Sequence, residues 1–99
     1  MSLVYLRSYN TDKGTMVACC DKDLMGKTFR EGRLKLSLDS KFYGDSLLGL
    51  AEALVLMETA ESLNLVGRDI IDAAIGKGLV HPDAVISIDG VPHVQVMKF

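Results

Sequence analysis

Residues 47–67, LLGLAEALVLMETAESLNLVG, decide the fold class, because they hold the longest apolar-rich run in a chain whose flanks read mostly as strands and turns. On a 3.6-residue period the run reads as a helix over residues 47–63, with Leu50, Ala53, Leu56, Met57, Ala60 and Leu63 on one face. Glu52, Glu58 and Glu61 fall on the other half with Thr59 and Ser62, but so do Leu47, Leu48, Leu54 and Val55. Such a helix is greasier than contact with one sheet requires, so a second helix or a partner subunit must cover its flank. Residues 68–75 supply the second helix, with Ile70, Ile71, Ala74 and Ile75 apolar. Asn64 suits the left-handed residue that follows a helix, and Gly76 or Gly78 can close the second one.

Toward the N-terminus, residues 3–9 read as a strand, and Asn10-Thr11-Asp12-Lys13-Gly14 supplies turn formers. The return strand over residues 15–20 is apolar from Met16 to Cys20 without a break, which predicts a central position buried on both faces. Asp21 then caps a short helical turn over residues 22–25 that Gly26 ends. From Arg33 to Asp39 charged or polar residues alternate with leucine, a period of two that places Leu34, Leu36 and Leu38 inward and Arg33, Lys35 and Ser37 outward. Residues 42–46 form a loop that delivers a helix start, where Asp45 or Ser46 accepts bonds from the first free amides.

Toward the C-terminus, His81-Pro82 stops further helix, residues 84–88 form a strand, Asp89-Gly90 fits a type I′ turn, and residues 91–97 return. The order is β-β-short α-β-α-α-β-β. It predicts an α+β fold of two layers, a mixed or antiparallel sheet of about five strands packed against two main helices. Residues 1–99 make a single domain, and a chain of this size buries roughly 65% of the surface its unfolded state exposes.

An apolar share of 48% with 24% charged residues describes a globular chain, and no window approaches the ~20 apolar residues of a membrane helix. The first residues lack the basic start, apolar stretch and cleavage site of a signal peptide, so the expected location is the cytoplasm, with no membrane contact. Cys19 and Cys20 are neighbours, and neighbours on a strand point to opposite faces, which suits two reduced thiols acting as small hydrophobes.

The net charge of −2 is unevenly spread: residues 1–50 hold eight Lys/Arg against six Asp/Glu, and residues 51–99 hold three against seven. Six of the eleven basic residues lie between Lys22 and Lys41, interleaved with Phe29, Phe42 and Tyr43, a footprint of nucleic-acid binders, although the pI of 5.6 is far from basic.

Gly26-Lys27-Thr28 imitates the end of a phosphate loop, but the full pattern requires glycine where Asp21 stands. Zinc sites want cysteines spaced so that both sulfurs converge, which adjacent Cys19 and Cys20 do not offer. If Ile88 pairs with Val91, His93 lies opposite Ile86 and His81 is left roughly 16 Å further along at a strand's rise per residue. No metal or cofactor is therefore expected. In that register Ile86, Ile88, Val91 and His93 share a face. His93 reads either as a structural histidine bonded to a backbone carbonyl or as a pocket residue held by Pro92, the one weak catalytic candidate in the chain. Phe42-Tyr43-Gly44-Asp45 reads as an aromatic staple over a helix start, or as an anion site at that start with Lys41 and Tyr43 beside it.

The stretches from Asp21 to Arg33, Phe42-Tyr43-Gly44, Asn64-Leu65-Val66-Gly67, Gly78-Leu79-Val80 and Val91-Pro92-His93, in this order and spacing, resemble an archaeal family known as domain of unknown function 424. The resemblance spans nearly the whole chain. It implies a small stand-alone archaeal protein and carries no activity to transfer.

The leading expectation is a non-enzymatic binding protein associated with RNA or translation, gripping phosphates with Lys22, Lys27, Arg30, Arg33 and Lys35 and stacking bases on Phe42 or Tyr43. A competing one is a small-molecule binder or enzyme whose pocket gathers His93, Asn64 and Tyr43. A third is a subunit of a larger complex, or a homodimer, joined through the helix at residues 47–63.

Overall fold

Turn chemistry and apolar runs set the first two strands as expected. β1 (Leu3–Thr11) and β2 (Gly14–Asp21) form an antiparallel hairpin in the computed structural model, which describes residues 2–98. A 3-10 turn (Lys22–Leu24) follows, and then a second hairpin of β3 (Thr28–Glu31) and β4 (Leu34–Ser37). The alternation in β4 reads correctly at Leu36 and Leu38, which are buried. Leu34 is 49% exposed, because it sits opposite Glu31 at the turn, beyond the sheet it was expected to cover. α1 (Ser40–Tyr43) is a single helical turn capped by Asp39, whose carboxylate accepts from the Lys41 amide at 2.8 Å.

The stretch over residues 47–67 is divided. Its first three residues are β5 (Leu47–Gly49), a short edge strand antiparallel to β1; α2 covers only Leu50–Glu58; and β6 (Ser62–Val66) is a central strand. β6 runs parallel to β2 and antiparallel to β8, so its side chains are buried on both faces. The alternation of Ser62-Leu63-Asn64-Leu65 is too short to stand out from the helical period of the apolar run that precedes it. The helix at residues 47–63 is thus corrected to nine residues, and Asn64 is corrected from a helix-ending residue to the middle of a strand. The partner face proposed for that helix shrinks with it. Its exposed large apolar side chains are Val55 and Leu56.

α3 (Arg68–Gly76) closes with a Schellman motif, in which the Leu79 amide donates to the Ala74 carbonyl and the Gly78 amide to the Ile75 carbonyl. A 3-10 turn (Pro82–Ala84) leads to β7 (Ile86–Ile88) and β8 (Val91–Met97), in the register expected, with Ile88 opposite Val91 and Ile86 opposite His93. Asp89 and Gly90 both have positive φ, as a type I′ turn demands.

The fold is α+β, built on a mixed six-stranded sheet in the order β5-β1-β2-β6-β8-β7, with the β3–β4 pair as a separate small sheet. On one face α2 and α3 bury Val17, Cys19, Leu63, Leu65 and Val94. On the other, the β3–β4 hairpin and α1 bury Ala18, Cys20, Val66 and Ile88 beneath Leu36, Leu38 and Tyr43. Cys19 and Cys20 therefore do face opposite ways, both fully buried. Burial first, with Asp21 adding its charge, pushes the Cys20 thiol up to about 12, and Cys19 is pushed higher still, so neither offers a thiolate.

Candidate nucleic-acid interface

The parallel pair β2 and β6 ends in a crevice of the kind where ligands settle in open α/β sheets, since the chain leaves β2 toward the hairpin face and leaves β6 toward the helix face. A recess of about 220 Å³ opens there, bordered by Asp21, Gly67, Asp69 and Pro92. Its anion position is already filled. The Asp21 carboxylate accepts from the Asp69 amide at 2.9 Å and from the Ile70 amide at 3.0 Å, capping α3 from a strand 48 residues away. Gly67 makes this approach possible: a Cβ built on it would stand 2.3 Å from the Asp21 side chain, and its φ of 115° suits glycine alone. Asp21 was expected to cap the turn at residues 22–25; its side chain makes no bond there. Burial raises the Asp21 carboxyl above the usual carboxylate range, the two amide bonds oppose that, and the Asp69 and Asp23 charges add to it.

The other expected anion site also dissolves. Phe42-Tyr43-Gly44-Asp45 closes α1 rather than opening the long helix, which starts at Leu50 after Gly49 with no side-chain cap. At Gly26 and Lys27 the amides are bonded to the Leu38 and Leu24 carbonyls, so they do not form a phosphate cradle.

The basic candidates gather on the hairpin side. Lys22 lies on the 3-10 turn, Lys27 just ahead of β3, and Arg33 in the turn between β3 and β4. Arg30 and Lys35 are direct cross-strand partners on the outer face of the hairpin, while Phe29 and Leu36 face the sheet. All five are exposed, and among the described residues none is ion-paired with a carboxylate. The layers differ in charge: residues 22–43 carry six Lys/Arg against three Asp/Glu, whereas residues 50–76 carry one against five.

The aromatic candidates part company. Tyr43 is 2% exposed, and its hydroxyl donates to Asn64 Oδ1 at 3.0 Å, so it is corrected from a stacking surface to a buried strut. Burial raises its phenol well above the ordinary range, with the two cysteines and Tyr9 adding smaller contributions. Phe42 is half-buried and stacks on Tyr9 at 5.6 Å between ring centroids, and the Arg7 guanidinium lies 5.1 Å from the Tyr9 centroid. Arg7 and Tyr9 were missed, although their two-residue spacing from Tyr5 on β1 marks one strand face.

Asn64 and His93 lie on the same sheet face as Tyr43. Asn64 pairs with Gln95 across β6 and β8, and His93, two residues before Gln95, pairs with Val66. Diagonal neighbours of this kind stand roughly 7–8 Å apart. His93 Nδ1 is 3.0 Å from the Leu65 carbonyl, the structural bond weighed for it. His81 is occupied elsewhere, accepting from the Asp83 amide at 3.1 Å. Among the described residues no three His, Cys, Asp or Glu side chains are placed to hold a metal ion, and no helix is long and apolar enough to cross a membrane.

Residues 9–99 match the family described as protein of unknown function, DUF424. This chain belongs to that family. The DUF424 fold has a solved counterpart in an uncharacterized conserved protein from Methanopyrus kandleri, with a TM-score of 0.80 and 24% identity over 95% of this chain and 90% of that one. No curated protein matches. Four of the five stretches that carry the DUF424 resemblance meet in space: Asp21 touches Gly67, the Gly67 amide donates to the Pro92 carbonyl, and Tyr43 holds Asn64.

Proposed function

We propose that this DUF424 protein is a non-enzymatic binder of single-stranded RNA in the archaeal cytoplasm, holding the phosphate backbone on the outer face of the β3–β4 hairpin. One observation carries the reading: Arg30 and Lys35 stand directly opposite each other with no acidic partner among the described residues. Like charges in that position destabilise a strand pair, and a bound phosphate converts the repulsion into attraction. Arg33 at the turn and Lys27 at the base extend the same surface, with Lys22 beyond it. Phe42, stacked on Tyr9, whose ring Arg7 overlies, supplies an aromatic surface for a base. The archaeal setting is supported by the Methanopyrus kandleri neighbour.

The test is fluorescence anisotropy of a labelled mixed-sequence single-stranded RNA across a salt series. Binding should weaken linearly in log–log form. Replacing Arg30 and Lys35 together by alanine should reduce the slope by about 1.4, at ~0.7 per phosphate contact for single strands, and weaken all sequences alike. No binding at low salt, or a slope that the double variant leaves unchanged, sinks the reading.

A further inference from the structure

The sheet face under the hairpin and α1 is not fully covered. Three recesses open along β6 and β8, and each shares residues with the next. The first, about 220 Å³, is bordered by Ile86, His93 and Gln95; the second, about 160 Å³, by Asn64, Gln95, Met16 and Met97; the third, about 350 Å³, by Ser62, Met97 and Thr11. Gln95 joins the first to the second, and Ser62 and Met97 join the second to the third. From His93 to Met97 the trough runs about 13 Å at a strand's rise per residue. That is comparable with sheet platforms that hold two or three unstacked bases.

Its polar groups are unspent. Tyr43 fixes Asn64 by donating to Oδ1, and the Asn64 amide nitrogen has no partner among the described residues and is not sealed from solvent, so its donors open into the recess. Gln95, directly opposite, is exposed and makes no side-chain hydrogen bond to a described residue, leaving a donor and an acceptor free. The Leu65 carbonyl can only accept, so the neutral His93 ring carries its proton on Nδ1 and presents Nε2 as an acceptor. Met16 and Met97 sit on either side of Ser62 in the next row, polarizable thioether side chains against which the face of a base can rest. Arg7 ends the row Arg7, Ala18, Asn64, Gln95, two strands away.

We infer that this trough is a base-reading subsite, in which unstacked bases of a single strand lie along β6 and β8 and are read by Asn64, Gln95 and His93 while the hairpin holds the phosphates. The inference rests on the RNA reading above and adds sequence preference to it. Phosphate contacts position a strand without reading it, and amide side chains in a fixed row supply the discrimination.

The experiment uses labelled oligo(A), oligo(U) and oligo(C) RNA at one low salt concentration with the full chain. The wild type should discriminate between the best and worst homopolymer by at least about fivefold, the low end of what one bidentate amide–base pair supplies. Gln95→Ala, an exposed change that leaves the fold intact, should bring the three affinities toward equality without altering the salt slope. Met97→Ala should weaken all three together. Equal binding of the homopolymers by the wild type overturns the base-reading subsite, as does a preference that survives Gln95→Ala. Either result leaves the hairpin reading standing if Arg30→Ala with Lys35→Ala still lowers the slope. Absence of binding to any homopolymer at low salt overturns both.

Discussion

On the helix side of the sheet, Val17, Cys19, Leu63, Leu65 and Val94 vanish beneath α2 and α3; on the hairpin side, a two-stranded ribbon and a single helical turn cover only part of the same strands. The first face ends in a closed cap, with Asp21 already seated on the amides of α3, and its outer surface is acidic. The second leaves Gln95 and Met97 in solvent, and its hairpin carries cations that no carboxylate pairs among the described residues. Stability therefore concentrates on one face and unspent polar groups on the other, which is the division expected when a rigid scaffold positions a binding surface.

The comparison breaks most sharply at the cap. Gly67→Ala forces a side chain into the Asp21 carboxylate and holds alanine at φ 115°, ψ 150°, a region reserved for glycine. It should cost about 3–5 kcal/mol, combining backbone strain with two amides stripped of their acceptor. Asp21→Ala alone should cost about 2–4 kcal/mol through the same two amides. The double variant should fall short of the sum, because the clash disappears with the carboxylate. Urea denaturation of the four proteins closes this cycle, and strict additivity would show that Gly67 is not there to admit Asp21.

Asp21 also gives the cap a pH signature. Its carboxyl is raised in the folded state, so the native protein binds that proton more tightly than the unfolded chain does. Stability from this group is then present below the ordinary carboxylate range and lost as pH rises from there through the raised value. Subtracting the pH–stability curve of Asp21→Asn from that of the wild type should reveal this fall. A difference curve that rises with pH would mean that the amide bonds outweigh burial.

Core truncations on the two faces sharpen the contrast. Met57→Ala, at a fully buried position between α2 and the sheet, should lower global stability by about 2–5 kcal/mol. Leu36→Ala removes a similar volume from beneath the hairpin but should act mainly there, speeding amide exchange in β3 and β4 while the β2, β6 and β8 amides keep most of their protection. Equal loss of protection on both faces would show that the hairpin folds as one unit with the sheet.

How much of this was readable follows the range of the interactions. The β7–β8 register needed only Asp89-Gly90 and the residues beside it, and it came out right. β6 did not: its Ser62-Leu63-Asn64-Leu65 alternation spans only four residues, and it was absorbed into the helical period of the run before it. Asp21 binding at Asp69 and Ile70 is a contact across 48 residues that no local pattern announces. The basic candidates were visible because charge is local, whereas Gln95 was passed over because an exposed glutamine on a strand is ordinary until Asn64 is known to stand opposite it. Local chemistry located the basic surface; strand pairing, which is non-local, decided which polar groups lie together on the sheet.

The smallest effect separates the two faces most cleanly, since it should have the opposite sign. Arg30 and Lys35 repel each other across the hairpin, so Lys35→Glu replaces a like-charge pair with an opposite one and should stabilise the free protein by about 0.2–1 kcal/mol. The gain should shrink in high salt, because both side chains are exposed and screened there. The same substitution should weaken RNA binding, since it places a carboxylate at the proposed phosphate contact. A change that improves the fold while damaging the activity marks a residue retained for its partner rather than for the fold, and paired denaturation and anisotropy titrations read both signs. If Lys35→Glu is neutral or destabilising in low salt, the cationic pair is not strained, and the strongest reason for placing a phosphate on this hairpin is gone.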